Sequence, residues 1–303
     1  EEVNISFNEM PVQIILMEKL DDTFGILIEK EITSCRKKIT FPKFDIDLNE
    51  SNVKEKKDSE VDDKDKNLEM KRELFFEKLT CWLFQICAGL TCANKAINFV
   101  HNDFHIHNIM TKKIENEYFY YSKDDIIFRI PTYNINIKFI DFGRSTFKYD
   151  NKYFIGDVYE TDGDAEGLYD VVEIMENENK KRIRKGKDKN RKNTIDKKSK
   201  AKIPNASYDL PFFANSLLEE FEDEVKWPTL DNILQSEVGK LLFSFMEDDN
   251  GVNFFQSIKG FKLCEYIVGN FRKKKPDNYI SHPIFQKYIF TEPLPENINV
   301  YHL

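Results

Sequence analysis

Two short stretches decide how this chain reads: His101-Asn-Asp-Phe-His-Ile-His-Asn108 and Ile137-Lys-Phe-Ile-Asp-Phe-Gly-Arg144. Together they carry three oxygen-bearing side chains, Asp103, Asn108 and Asp141. The first two sit five residues apart in what reads as a loop. The alternation of Ile137-Lys-Phe-Ile140 is that of a half-buried strand, so Asp141 falls at a strand end. Gly143, two residues on, is expected to let the backbone turn sharply. Hard cations such as Mg²⁺ prefer oxygen ligands and commonly take one or two carboxylates alongside substrate phosphates. One Asp and one Asn for a metal, beside a second Asp free to accept a proton, is the set that phosphoryl transfer uses. Each residue alone has a plainer role, since a loop Asp closes an Asx-turn and a strand-end Asp caps a turn. The presence of all three favours the metal-and-base reading.

Upstream of the loop, Leu79, Leu83, Ile86, Leu90, Ala93 and Ile97 recur three or four residues apart, which predicts a helix over 69–98. Cys81, Cys87 and Cys92 lie in or beside this stripe and read as small core side chains. Between the two motifs, Tyr118–Tyr121 and Ile126–Ile130 read as a hairpin around Lys123-Asp-Asp125. From Asp209 onward the pattern is mostly helical, over 210–223, 229–248 and 260–273. At the other end, Pro11-Val-Gln-Ile-Ile-Leu-Met17 reads as a short buried strand, followed by a polar linker from Glu18 to Gly25. His101, His105 and His107 cluster, but no second group of ligands has zinc spacing.

Composition bounds the alternatives. The chain has 303 residues, 41% hydrophobic and 32% charged, with 26 Phe and 13 Tyr. That aromatic content excludes a wholly disordered chain. Five Cys, sparse and odd in number, argue against a disulfide-stapled secreted domain. No apolar run is long enough to span a membrane. The chain starts at Glu1 with no signal-like segment, which reads as an intracellular fragment or processed piece. Charge is uneven. Residues 180–202 hold 13 Lys/Arg against Asp188 and Asp196, a net +11, which leaves −19 on the rest of a chain of net −8. Residues 49–73 and 177–202 read as polar inserts.

With these residues in hand, His101-x-Asp103-x4-Asn108 followed by Asp141-Phe-Gly143 resembles the catalytic loop and metal-binding motif of protein kinases. Other segments follow in matching order. Ile14–Met17 and Glu18-Lys-Leu20 resemble the last N-lobe strand and the hinge. The helix over 74–98 resembles the one that precedes the catalytic loop. Asp209 in Ser207-Tyr-Asp209 resembles the central-helix Asp that holds the catalytic-loop backbone. Ser281-His-Pro-Ile-Phe285 resembles the closing segment of the C-lobe. More narrowly, the loop phrase with a Tyr-rich hairpin before Ile-Asp-Phe-Gly-Arg is similar to serine/threonine protein kinases of giant DNA viruses, with atypical haspin-like kinases the nearest cellular analogue.

The resemblance implies an α+β, protein-kinase-like fold, mostly its helical C-terminal lobe. Residues 1–28 would supply the last N-lobe strand, the hinge and the start of the C-lobe. Residues 29–73 would be a polar insert, and 74–303 the C-lobe with a basic insert at 177–202. It implies ATP- and Mg²⁺-dependent transfer to Ser or Thr of protein substrates, inside a cell (host cytoplasm or virion, for a viral protein). Asp103 would be the catalytic base, with His105 at the place of a phosphate-stabilising Lys. Asn108 and Asp141 would hold Mg²⁺. Met17 would be the gatekeeper, Glu18 and Leu20 would meet adenine through their backbone, and Met110 would floor its pocket. His101, Phe142, Gly143 and Asp209 would give structural support.

The chain departs from that pattern in several places. Asn102 stands where an Arg precedes the catalytic Asp, which removes the usual acceptor for a loop phosphate. Gly163-Asp-Ala-Glu-Gly167 stands where Ala-Pro-Glu is expected. The Gly-rich loop, the phosphate-pairing Lys and its Glu partner would all lie upstream of Glu1. Three alternatives therefore remain. They are a catalytically inactive pseudokinase serving as an interaction or virion component, a small-molecule phosphotransferase, which shares H-x-D-x4-N, and, weakest, a binder of nucleic acid or an acidic partner through 180–202.

Overall fold

The computed structural model describes residues 18–36, 58–160, 162–166, 168, 205–221 and 227–303. The strand expected up to Met17 and the basic run at 177–202 lie outside the described residues. Within them the protein is α+β, with small sheets set among several helices.

Helix α1 (Phe24–Ser34) opens at Thr23, whose hydroxyl accepts from Ile26 N–H. It buries Phe24, Ile28 and Ile32. Helix α2 (Asp58–Ile97) follows. The segment read as a polar insert from residue 29 thus carries helix at both ends, and α2 starts well before residue 69. The apolar recurrence that predicts this helix begins only at Leu79. Further along, α2 is buried on every side from Leu79 to Ala88, the pattern of a central helix rather than a surface one. Phe84 sits in an aromatic cage of Tyr121, Phe128 and Phe285, with ring centroids at 5.1, 5.3 and 4.9 Å.

Two antiparallel pairs follow the loop. Strand β1 (Ile109–Lys113) pairs with β4 (Ile135–Phe139), Ile109 opposite Phe139. Strands β2 (Tyr118–Lys123) and β3 (Ile126–Pro131) form the hairpin. Its tip, Asp124-Asp125, has φ of 48° and 64°, the left-handed pair that a two-residue hairpin turn needs. Strand β7 (Ile289–Phe290) joins β3, and β8 (Val300–His302) runs parallel to β2, giving the sheet order β7-β3-β2-β8. Strands β5 (Thr146–Tyr149) and β6 (Lys152–Ile155) form a third, two-stranded sheet.

Helix α2 fixes β4 directly. Gln85 is buried, donates from Nε2 to Ile135 O at 3.1 Å and accepts from Ile137 N–H at 3.1 Å. Its amide thus satisfies a strand edge in both directions, as a neighbouring strand would. Gly89 lets the two elements close up, because a Cβ there would lie 2.8 Å from the Phe139 ring.

The C-terminal half is helical: α3 (Asp209–Glu219), α4 (Leu230–Gln235), α5 (Glu237–Phe245), α6 (Phe261–Asn270) and α7 (Pro276–Tyr279). The single helix expected over 229–248 is broken at Ser236, whose hydroxyl accepts from Gly239 N–H and caps the second piece. Among the described residues no helix is long and apolar enough to cross a membrane.

Candidate functional site

The loop from Val100 to Asn108 is built by partners far away in sequence. Val100 and Thr146 exchange backbone hydrogen bonds at 2.9 and 2.8 Å. Asp209, at the start of α3 and 2% exposed, accepts from the N–H groups of His101 and Asn102, both at 2.9 Å. Its carboxylate therefore serves the loop and not its own helix. Burial pushes the Asp209 carboxyl above its ordinary value, while His101 and the two N–H groups pull it down. Asn102 adopts φ 64°, a conformation Asn tolerates better than most residues. Its amide donates to Val100 O, to Arg144 O and to Thr146 Oγ1. From the same helix as Asp209, Ser216 Oγ accepts from Ile106 N–H at 3.1 Å.

The strand pairing then brings the two motifs together. The β1–β4 ladder ends at Ile109–Phe139, and Ile140 N–H donates to Asn108 O at 3.0 Å. Ile140 O in turn meets His101 Nε2 at 2.8 Å. Both backbone groups of Ile140 are thus tied to the loop, which sets Asp141 beside Asn108 and His101. The His101 ring packs against Phe142 and Phe104, at 5.6 and 5.3 Å.

Asp103 is held on two sides. Asn108 Nδ2 donates to its backbone O at 2.9 Å and reaches its Oδ2 at 3.3 Å. Arg144 Nη1 stands 3.4 Å from its Oδ1. His105 Nδ1 accepts from His107 N–H. Burial lowers the His105 pKa, with Asp103 and Asp141 pulling the other way and His107 adding to the lowering. His101 and His105 each commit a ring nitrogen to backbone.

At Asp141 the structure corrects one expectation. The sharp turn is made by Asp141 itself, at φ 60° and ψ 68°, and Gly143 keeps an ordinary φ inside the turn Phe142–Arg144. The Asp141 carboxylate accepts from Gly143 N–H at 3.4 Å, the local bond that lets Asp visit this region. The Asp141 side chain is exposed. Phe142 is 53% exposed and leans on Phe99 and His101.

Of the residues assigned to a nucleotide base, Met17 lies outside the described residues. Glu18 is exposed and paired with Lys112 and Lys138, which hold its carboxyl below the usual value, Lys112 foremost. Just beyond Leu20, Asp21 N–H donates to Thr111 O, and Asp22 O accepts from Thr111 N–H. These bonds lay the 18–23 segment along β1, where Thr23 bridges Met110. Met110 is half-buried on that strand.

Sequence reasoning gave no role to Gln85, Arg144 or Tyr159. Tyr159 is buried and its hydroxyl donates to Arg144 O. Each acts through a partner distant in sequence, and no local pattern announces it.

The donor chemistry suits a hard cation. Asn108 Nδ2 is committed to Asp103, which leaves its Oδ1 as the amide's acceptor, and Asp141 offers an exposed carboxylate. Among the described residues no three His, Cys, Asp or Glu side chains converge on a metal-sized site. Two oxygen side chains match a cation that takes its other ligands from phosphate and water. A separate cavity of about 520 Å³ is walled partly by Glu73, Glu77, Glu237 and Lys287 and shares no residue with this site. No protein-family model matches the chain, and no curated protein matches it.

Proposed function

We propose that this chain is the C-terminal lobe of a protein-kinase-like fold and that it carries out ATP- and Mg²⁺-dependent phosphoryl transfer to Ser or Thr of protein substrates. One observation carries the reading. Both backbone groups of Ile140, the residue before Asp141, are bonded to the loop that bears Asp103 and Asn108. Asp209 stiffens that loop from beneath.

In this reading Asp103 accepts the proton of the substrate hydroxyl as its oxygen bonds to the γ-phosphorus. The bond between that phosphorus and the bridging oxygen of ADP breaks, and ADP leaves with the electron pair. Asn108 Oδ1 and the Asp141 carboxylate would hold Mg²⁺, which would neutralise phosphate charge there. His105, whose Nδ1 accepts from the His107 N–H, would offer its Nε2–H to a phosphoryl oxygen. The backbone of Glu18 and Leu20 and the side chain of Met110 border the base, and 180–202 is a candidate contact for acidic partners. A place inside the cell, in host cytoplasm or virion, goes with the same reading.

The test is radiolabel transfer from ATP by the full-length protein, with a panel of protein and small-molecule acceptors. Wild type should label protein Ser or Thr, and Asp103→Asn and Asp141→Asn should not. Equal labelling by wild type and Asp141→Asn would end the assignment. Label on small molecules alone would move it to a small-molecule phosphotransferase.

A further inference from the structure

Arg144, immediately after Asp141-Phe-Gly143, is tied to the loop at both ends of the residue. Its backbone oxygen accepts from Asn102 Nδ2 at 3.0 Å and from the Tyr159 hydroxyl. Its guanidinium reaches forward to Asp103 Oδ1 at 3.4 Å. Among the described residues it is the only cation paired with Asp103. The side chains are 38% and 19% exposed, so the pair sits at the rim of the site, open to an incoming group.

Resting on the phosphotransfer reading above, we propose that Arg144 is the positioning residue of this site. It orients the Asp103 carboxylate toward the substrate hydroxyl and supplies a fixed positive charge beside it. Position 105 holds a ring whose Nδ1 is committed to the His107 N–H, so the cation beside the base comes from the second motif instead. Arginine suits the task. Its planar fork is always charged, and one N–H on Asp103 leaves others for neighbouring oxygens. The 3.4 Å contact is long for a charged hydrogen bond. A half-exposed pair of that kind adds little to stability, so the variants below should fold.

The experiment is steady-state transfer by the full-length protein as wild type, Arg144→Gln, Arg144→Lys and the double variant Arg144→Gln/His105→Lys. Arg144→Gln should lower kcat by about 10²-fold, the usual cost of losing one preorganised charge donor, with KM for Mg²⁺-ATP within about twofold. Arg144→Lys should fall in between. The double variant should regain about tenfold over Arg144→Gln, because a Lys at 105 returns the charge from the other side. A merely structural Arg144 would not be rescued in this way. A kcat for Arg144→Gln within about threefold of wild type overturns the assignment, as does a double variant no faster than the single one. Both leave the phosphotransfer reading standing if Asp103→Asn is inactive. A wild type that transfers no phosphate, and so matches Asp103→Asn, overturns the reading and this assignment together.

Discussion

Replacing Asp209 by Ala would remove a single buried carboxylate and orphan two backbone N–H groups at once. Both bonds, to His101 and Asn102, are 2.9 Å long. A hydrogen bond to a charged group is worth about 1.5–3 kcal/mol net, and an orphaned buried N–H costs about 1–3 kcal/mol. The two bonds share one carboxylate whose burial is itself unfavourable, as its raised pKa shows, so the terms do not simply add. We expect a loss of about 3 kcal/mol, large against a typical domain stability of about 5–15 kcal/mol. Asp209→Asn keeps one acceptor and should lose less. Urea unfolding followed by circular dichroism measures this, with Glu296→Ala, an exposed site, as the reference expected to shift by less than about 0.5 kcal/mol. Hydrogen exchange adds a local readout, since the His101 and Asn102 amides should lose protection in Asp209→Ala while those of Leu83 and Phe84 keep theirs relative to global stability. An Asp209→Ala midpoint equal to that of Glu296→Ala would refute the claim that this carboxylate holds the loop.

Other consequences can be measured separately. Burial lowers the pKa of both His105 and His282 from 6.5. Below about pH 6.5 the unfolded chain therefore binds more protons than the folded one, and stability fully present above that pH is lost as pH falls through the depressed values. Urea midpoints at pH 7.5 and 5.5 should show the drop, and His282→Gln should shrink it. Phe84→Ala empties the cage formed with Tyr121, Phe128 and Phe285 and should cost about 3–5 kcal/mol by chemical denaturation. Phosphatase treatment should leave transfer activity unchanged, because position 102 offers a neutral amide already bonded to Val100, Arg144 and Thr146. Activity lost together with a phosphate on residues 144–160 would contradict that.

Where the chain announced its structure, it did so through local periodicity. The 118–131 hairpin was legible because the aromatic run Tyr118–Tyr121 and the apolar run Ile126–Ile130 flank Lys123-Asp-Asp125, and the middle of α2 because its stripe is continuous. Helix α1 was not, since its three-residue apolar run follows Gly25 and lies beside a polar stretch. The break at Ser236 hid inside a pattern that stays apolar on both sides. For the site, the spacing of Asp103, Asn108 and Asp141 raised the chemistry, but their meeting depends on β1–β4 pairing. Asp209 acts across a separation of 108 residues to His101 and was suggested by resemblance alone. Glycine is the usual owner of positive φ, so the sequence points to Gly143 for the turn, yet Asp141 takes it with a side-chain bond that spacing does not reveal. Arg144 and Gln85 left no trace in local pattern, because their partners come from other elements.

The four-stranded sheet also has a history in time. Its hairpin, β2–β3, forms from neighbouring residues, but the strands that cover its two edges are Ile289–Phe290 and Val300–His302. During synthesis the hairpin therefore leaves the ribosome long before either flank exists. The β3 edge stays open, with Ile127 and Phe128 awaiting partners, until Phe290 emerges, and the β2 edge, with Tyr120 and Tyr121, until Val300–His302 follow. Such long-range pairings slow folding, and open edges invite pairing with another chain. The nascent protein thus passes through a stretch of translation in which residues 118–131 present unpaired strand edges to other chains.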